Sequence, residues 1–212
     1  MSRLSPITCT RPGIIARTCL ALFAIGVAVG VAQRPAAGQV AISGGWNSEI
    51  LYDIEATSQD VAVADSYGWN MGISYNWNSG IFGFRPGIYY HRIRQIQITA
   101  GDSTTAFDMD VVEIPVDVRL RLRIKTVTPY LLAAPVVTFT STANALVDGE
   151  LKQAPWKIEV GFGLEIALGV RLWPEVRFGF GLSRLFKEGL EVGGTQVNPL
   201  LNTFTLRLGV SF

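Results

Sequence analysis

The sequence predicts an all-β fold: an eight-stranded antiparallel up-and-down transmembrane β-barrel preceded by a cleaved signal peptide. Three observations carry that expectation. A basic and then apolar leader opens the chain, period-two alternation of apolar and polar residues recurs through the rest, and the alternating segments are joined by connections that are short and long in turn.

The leader carries Arg3, Arg11 and Arg17 with no acidic residue. An apolar run over residues 19–32 (CLALFAIGVAVGVA) follows, and then the small residues Ala36, Ala37 and Gly38. Basic, apolar and small-residue regions in that order make a secretory signal peptide over residues 1–38, with cleavage expected between Ala32 and Gly38. The run is short of the roughly 20 residues of a transmembrane helix, and no stop-transfer charges follow it, which disfavours an uncleaved anchor. Both cysteines, Cys9 and Cys19, lie in the leader. The mature chain, 39–212, would therefore hold no thiol, disulfide or cysteine metal site. Cys19 opens the apolar run instead of closing it, which argues against lipid attachment there.

Eight strands are expected in order. The first, 40–46, is weakly patterned. In the second, 67–77, Tyr67, Trp69, Met71, Ile73, Tyr75 and Trp77 alternate with Gly and Asn. The third, 82–94, is again weak. The fourth, 112–124, sets Val112, Ile114, Val116, Val118, Leu120, Leu122 and Ile124 against Glu113, Pro115, Asp117, Arg119, Arg121 and Arg123. The fifth, 127–139, is weak. In the sixth, 156–168, a row from Trp156 to Leu168 alternates with Lys157, Glu159, Gly161, Gly163, Glu165 and Ala167. The seventh, 176–182, and eighth, 204–212, place Arg177, Arg207, Thr205 and glycines on the polar face. Short connections fall at Asn78-Ser79-Gly80, at Lys125-Thr126 and around Gly169. Long ones cover about 48–66, 97–107, 140–155 and 187–202, where turn-forming and small polar residues gather. Strictly alternating short and long connections match a transmembrane barrel with periplasmic turns and extracellular loops.

A soluble barrel of the lipocalin kind also alternates, but it turns its large apolar residues inward. The content of the polar face decides between the two. Arg85, Glu113, Asp117, Arg119, Arg121, Arg123, Lys157, Glu159, Glu165, Glu175, Arg177 and Arg207, spaced by glycines, fill a narrow lumen as an interior polar network. The opposite face would then show water an apolar surface far beyond the few hundred Å² that soluble monomers tolerate. Outer-membrane lipid is the partner that suits it, and Trp46, Tyr67, Trp69, Tyr75, Trp77 and Trp156 suit aromatic girdles at the two interfaces.

The chain is close to neutral, with 18 basic and 17 acidic residues, so there is no bulk basic footprint for nucleic acid. Charge is nevertheless segregated. The long connections hold Glu49, Asp53, Glu55, Asp60, Asp65, Asp102, Asp108, Asp110, Asp148, Glu150, Glu188 and Glu191 against Lys152 and Lys187. Solvation of exposed loops accounts for this bias, and divalent-cation or cationic-partner binding at the cell surface is the functional alternative. No EF-hand spacing, P-loop, dinucleotide fingerprint or metal-ligand cluster is present, so no cofactor is expected and an enzyme is not. His91, the only histidine, is expected to share a face with Arg85 and Tyr89. It lacks the motif of a Ser-His-acid hydrolase, although a Ser or acid beside it at the outer rim would favour a lipid-modifying enzyme. The interior charges would form either a salt-bridged plug or a narrow ion path, and small barrels have little free lumen.

Three stretches add a resemblance: Val112-Glu113-Ile114-Pro115-Val116, the run KTVTPYLLAAP over 125–135, and the closing FTLRLGVSF. They resemble the EIP strand, the PYLLAGP strand and the final strand of the outer-membrane β-barrel domain family of Bacteroidetes-type bacteria. That family includes small barrels similar to PorT and to OmpX. Ala134 stands where a glycine is common. The resemblance implies an integral protein of the cell outer membrane, exported by its signal peptide, with a PorT-like role in a secretion apparatus as one implied function and a periplasmic or cell-surface protein partner. Phe204, Leu206, Leu208, Val210 and Phe212 look like the terminal signal by which the barrel assembly machinery takes its clients. An amphipathic last strand with an open edge suits that use.

Overall fold

A computed structural model describes residues 38–56, 61–64, 66–122, 124, 126–152 and 154–212. The expected signal peptide and its cleavage site lie outside the described residues, as does Arg123. Among the described residues ten strands are present: β1 (Gly38–Ala56), β2 (Val61–Ala64), β3 (Ser66–Ser79), β4 (Phe82–Ala100), β5 (Ser103–Arg121), β6 (Val127–Thr142), β7 (Trp156–Leu168), β8 (Val170–Gly181), β9 (Leu190–Val192) and β10 (Thr195–Ser211). One helical turn, α1 (Ala145–Asp148), precedes β7. Eight of the strands pair antiparallel in the order β1-β3-β4-β5-β6-β7-β8-β10, and β10 pairs back to β1 along Ala41↔Ser211 to Leu51↔Leu201, which closes the barrel. Closure leaves no sheet edge for lipid to meet, the condition for crossing a bilayer with strands. The short strands β2 and β9 are additions at one end, pairing β4 and β10.

Side-chain facing follows the alternation. Ile158, Phe162, Phe178 and Leu206 point outward at 42–53% exposure, whereas Arg119, Arg121, Glu159 and Arg207 point inward at 1–4%. The wall is thus apolar outside and charged inside, the reverse of a lipocalin-like barrel. Aromatic pairs mark two levels on the outer surface. Trp77 lies 6.1 Å from Phe84, and, eight residues up β3, Trp69 lies 5.4 Å from Tyr90. From Tyr67 to Trp77, ten steps of ~3.3 Å on a strand tilted ~40° give a band about 25 Å tall, the height of a bilayer-spanning apolar belt.

Boundaries differ from the sequence expectation mostly at one end; at the short-turn end the main change is that β8 starts at Val170 and not at 176. The short turns lie where expected: Gly80 and Gly169 adopt φ of 60° and 87°, the left-handed region that glycine enters without strain. At the other end, what composition suggests are long loops is largely strand. β4 and β5 run on past the aromatic level to a tight turn at Gly101-Asp102, β1 continues to Ala56, and β10 begins at Thr195. Trp46 accordingly sits within a long strand and not near its end. The extensions form a crown above the belt, and β7 and β8, at 13 and 12 residues, stop at the belt and contribute least to it.

Candidate functional site: a filled interior beneath an ordered crown

Inward-pointing residues of the belt make one connected electrostatic structure. Arg177 on β8 is its hub. Its guanidinium reaches Asp117 on β5 at 2.6 Å, Glu159 on β7 at 2.8 Å, and Glu175 two residues before it on its own inward row. Arg85 on β4 holds the other side of the same two acids, at 2.6 Å from Asp117 and in contact with Glu175. Toward the crown, Lys157 bridges Glu113 (2.5 Å) and Glu159 (2.9 Å), and His91 Nε2 lies 2.9 Å from Glu113. Toward the short turns, Arg121 meets Glu165 at 2.8 Å, and Arg119 donates to Asn78 at 2.9 Å. Arg207 donates to Asn70 and lies over the Tyr89 ring at 3.9 Å.

Every described member of the expected interior network is therefore on the inner face and buried. Among the described residues, six buried carboxylates (Glu49, Glu113, Asp117, Glu159, Glu165, Glu175) meet six buried cations (Arg85, Arg119, Arg121, Lys157, Arg177, Arg207), with His91 besides. That balance matters, because isolated charges out of water cost several kcal/mol each, and only opposite partners with good geometry offset the cost. Glu49 is a correction to the sequence reading. It belongs to the interior, 1% exposed and accepting from Asn47 at 2.9 Å, and not to an acidic loop.

Sequence reasoning missed the aromatic part of this filling. Trp173 and Tyr130 point inward; Trp173 donates to Ser211 at 3.1 Å, and Tyr130 to Glu175 at 2.8 Å. The Arg85 guanidinium stacks 4.3 Å from the Trp173 ring. Glycines opposite make room: a Cβ on Gly209 would fall 1.9 Å from Trp173, and one on Gly163 would fall 2.5 Å from Tyr130. The signal was present in the alternation, since Trp173 shares the parity of Glu175 and Arg177. The two strand motifs behind the family resemblance also serve this interior, through Glu113 of the first and Tyr130 of the second.

Above the charges the lumen changes character. Leu51, Ile93, Ile96, Ile98, Phe107, Met109, Val111, Val147, Leu151, Leu185, Phe186, Leu190, Val192 and Val197 form one buried apolar cluster, with members from β1, β4, β5, β9, β10, α1 and the connections beside β7 and β8. A β-bulge between Ile93 and Ile96, with Gln95 at φ 59°, shifts the parity of β4 so that Ile96 and Ile98 turn inward. Gln95 N–H donates to Asp108 at 3.0 Å, which holds the bulge. Asp102, Asp108, Glu188 and Glu191 are exposed around the crown, but Arg184 joins them there, reaching Glu55 at 2.6 Å, so the acidic bias is smaller than the sequence suggests. Among the described residues no three His, Cys, Asp or Glu side chains gather as a metal site would require.

The model of the outer membrane protein beta-barrel domain family matches residues 19–212. The chain belongs to this family. It is thus an outer-membrane barrel, and by the rule for that class the short turns face the periplasm and the crown faces outward. No curated protein sequence matches it. Among solved structures, the barrel resembles Neisserial surface protein A at 16% identity and a TM-score of 0.52, covering 84% of this chain and 98% of that one. Ail of Yersinia pestis, solved in complex with the heparin analogue sucrose octasulfate, aligns at 16% identity over 84% of this chain and 100% of that one, TM-score 0.42. The N-terminal β-barrel domain of Pseudomonas aeruginosa OprF gives 13%, 82%, 99% and 0.38 in the same terms. At such identities the likeness concerns the fold alone.

Proposed function

We propose that this protein is a non-conducting, non-enzymatic surface scaffold of the outer membrane, whose rigid crown is the binding surface for a cationic partner outside the cell. The supporting observation is the double filling of the lumen. A largely ion-paired network of buried carboxylates and cations occupies the belt, and an apolar cluster lies in the crown above it. A hydrated ion path needs continuous polar space, and buried charges in the belt with apolar side chains above them stand against one.

The same filling bears on enzymatic readings. His91 has an acid within reach, Glu113, but both are at or below 4% exposure beneath the apolar cluster, away from any lipid or aqueous substrate. The exposed acids Asp102, Asp108 and Glu191 sit on ordered hairpins, so a cationic partner would meet charges already positioned, at little ordering cost. Export by the signal peptide, and insertion by the assembly machinery acting on the strand that ends at Phe212, complete the proposal.

Planar-bilayer recording tests it. Protein refolded into bilayers is expected to give no stable channel steps at ±100 mV. A reproducible open-channel conductance in the wild-type barrel would overturn the filled-lumen reading, and with it the scaffold role.

A further inference from the structure

The crown is not symmetrical, and its low side holds a cleft that the scaffold role leaves unused. β6–β7 pairing ends at Val137↔Trp156 and β7–β8 pairing at Lys157↔Gly181, at the level of the outer aromatic girdle. Above this low wall the β6–β7 and β8–β9 connections fold against each other, with Lys152 N–H donating to Leu185 C=O (2.9 Å), Lys187 N–H to Glu150 C=O (2.8 Å), and a bridge joining Leu151 to Phe186. Phe186, Leu185 and Leu151 point into the apolar cluster, which anchors the pair. On their outer side lies a cleft of ≈ 680 Å³, within the size range of small-molecule sites.

Its lining has two halves. Leu182, 60% exposed, and Leu200 continue the lipid-facing apolar surface upward, and the Leu182 amide donates to the Trp156 carbonyl at the girdle itself. Lys152, Arg184 and Lys187 supply the polar half together with Ser183 and Asn198, and no acidic side chain is in the lining. Arg184 is fixed by Glu55 at 2.6 Å and by the Asn198 carbonyl at 3.0 Å, and the Lys187 ammonium donates to the Gly149 carbonyl at 2.9 Å. Arg184 and Lys187 so held, just above the girdle, stand with Lys152 at the depth of lipid headgroups. Glu55, paired to Arg184, and Glu188, beside Lys187, are acids near this side, but neither lines the cleft, where three cations stand against no carboxylate.

We propose that the cleft binds the phosphate-bearing sugar headgroup of an outer-leaflet glycolipid, with an acyl chain lying along Leu182 and Leu200. Guanidinium and ammonium donors pair with phosphate oxygens by charge-assisted hydrogen bonds. Sugar hydroxyls match Ser183, and the apolar wall of Leu182 and Leu200 suits an acyl chain. The ligand is a lipid and not a free anion, because half of the lining is apolar and continuous with the belt.

Native mass spectrometry of the full barrel in zwitterionic micelles tests this, with bisphosphorylated lipid A as the probe and its dephosphorylated form, phosphatidylglycerol and inorganic phosphate as comparisons. One bound bisphosphorylated lipid per barrel is expected, at least tenfold tighter than either other lipid and not displaced by millimolar inorganic phosphate. The double variant Lys152→Gln/Lys187→Gln, confirmed as folded by heat-modifiable migration, is expected to lose at least tenfold in affinity. Equal binding of the dephosphorylated lipid, equal binding of phosphatidylglycerol, displacement by inorganic phosphate, or an unaffected double variant would each overturn the assignment. Channel recording is indifferent to all of these outcomes, so this test and that of the scaffold role fail separately.

Discussion

Replacing Arg177 by methionine removes the hub of the interior network with little change in volume. Three carboxylates lose a partner at once. Asp117 and Glu175 keep Arg85, and Glu159 keeps Lys157, so no acid is left wholly alone, but the three crowd together with two cations between them. Breaking a buried ion pair from one side costs roughly 3–5 kcal/mol, because an uncompensated charge stays out of water. With a urea dependence of about 2 kcal/mol/M, the unfolding midpoint should fall by about 2 M. The assay is urea titration of the refolded barrel in micelles, followed by heat-modifiable migration and by tryptophan fluorescence. Adding Asp117→Asn to Arg177→Met relieves the carboxylate excess and should recover more than about 1 kcal/mol, the size of coupling expected for contacting groups. A single variant within about 1 kcal/mol of wild type, or a double variant with purely additive loss, would refute the claim that the lumen is held by charge pairing.

Two further outcomes follow from the packing. Ile98, fully buried in the crown cluster, should cost about 2–4 kcal/mol of local stability when cut to alanine. Limited proteolysis of the β4–β5 hairpin should then run at least tenfold faster, while the belt keeps its heat-modifiable migration; unchanged cleavage would mean the crown is not held by that cluster. Gly209→Ala should force the Trp173 ring off its place over Arg85 and lower stability by about 1–3 kcal/mol. The same substitution in a Trp173→Leu background should cost much less, and equal urea shifts in the two backgrounds would show that the ring contact is not the cause.

The belt was legible in the sequence because lipid imposes the simplest code. The strands expected over 67–77, 112–124, 156–168, 176–182 and 204–212 show a period of two over the membrane, and the residues that face lipid cannot be polar without penalty. The expected strand 156–168 coincides with β7, and the short turns declare themselves through Gly80 and Gly169. Facing in the weak strand 82–94 was obscured by Tyr89, Tyr90 and Pro86, and it settles once Arg85, Tyr89 and His91 are seen on one inner row. The crown was not legible, for two physical reasons. Its strands carry Asp, Thr, Ser and Gly outward, which reads as loop composition, and the bulge at Gln95 breaks the parity that would have carried the pattern of β4 through to Ala100. Glu49 was lost to the same effect, as an acid beyond the expected end of its strand that in fact points down into the lumen.

β5 shows how one strand satisfies two solvents. In its outer part Phe107, Met109 and Val111 point inward while Asp108 and Asp110 point outward, the arrangement of a water-soluble sheet. From Glu113 on, the same inward parity carries Glu113, Asp117, Arg119 and Arg121, and the outward parity carries Ile114, Val116, Val118 and Leu120. The backbone alternation never breaks; only the polarity of the two faces exchanges, around Val112. That exchange must coincide with the outer bilayer surface, because on one side of it an outward aspartate is solvated and on the other it would be stranded in hydrocarbon. Tyr90, opposite Val112 in the β4–β5 register, sits at this level, with its hydroxyl donating to Asp110 at 2.7 Å and its ring against Trp69. A tyrosine with its ring in lipid and its hydroxyl in water is the interfacial arrangement expected there. The boundary so drawn through β4 and β5 meets the outer girdle at Trp156, where the low wall of β7 and β8 ends, and that coincidence puts the cleft just above Trp156 at the depth of headgroups.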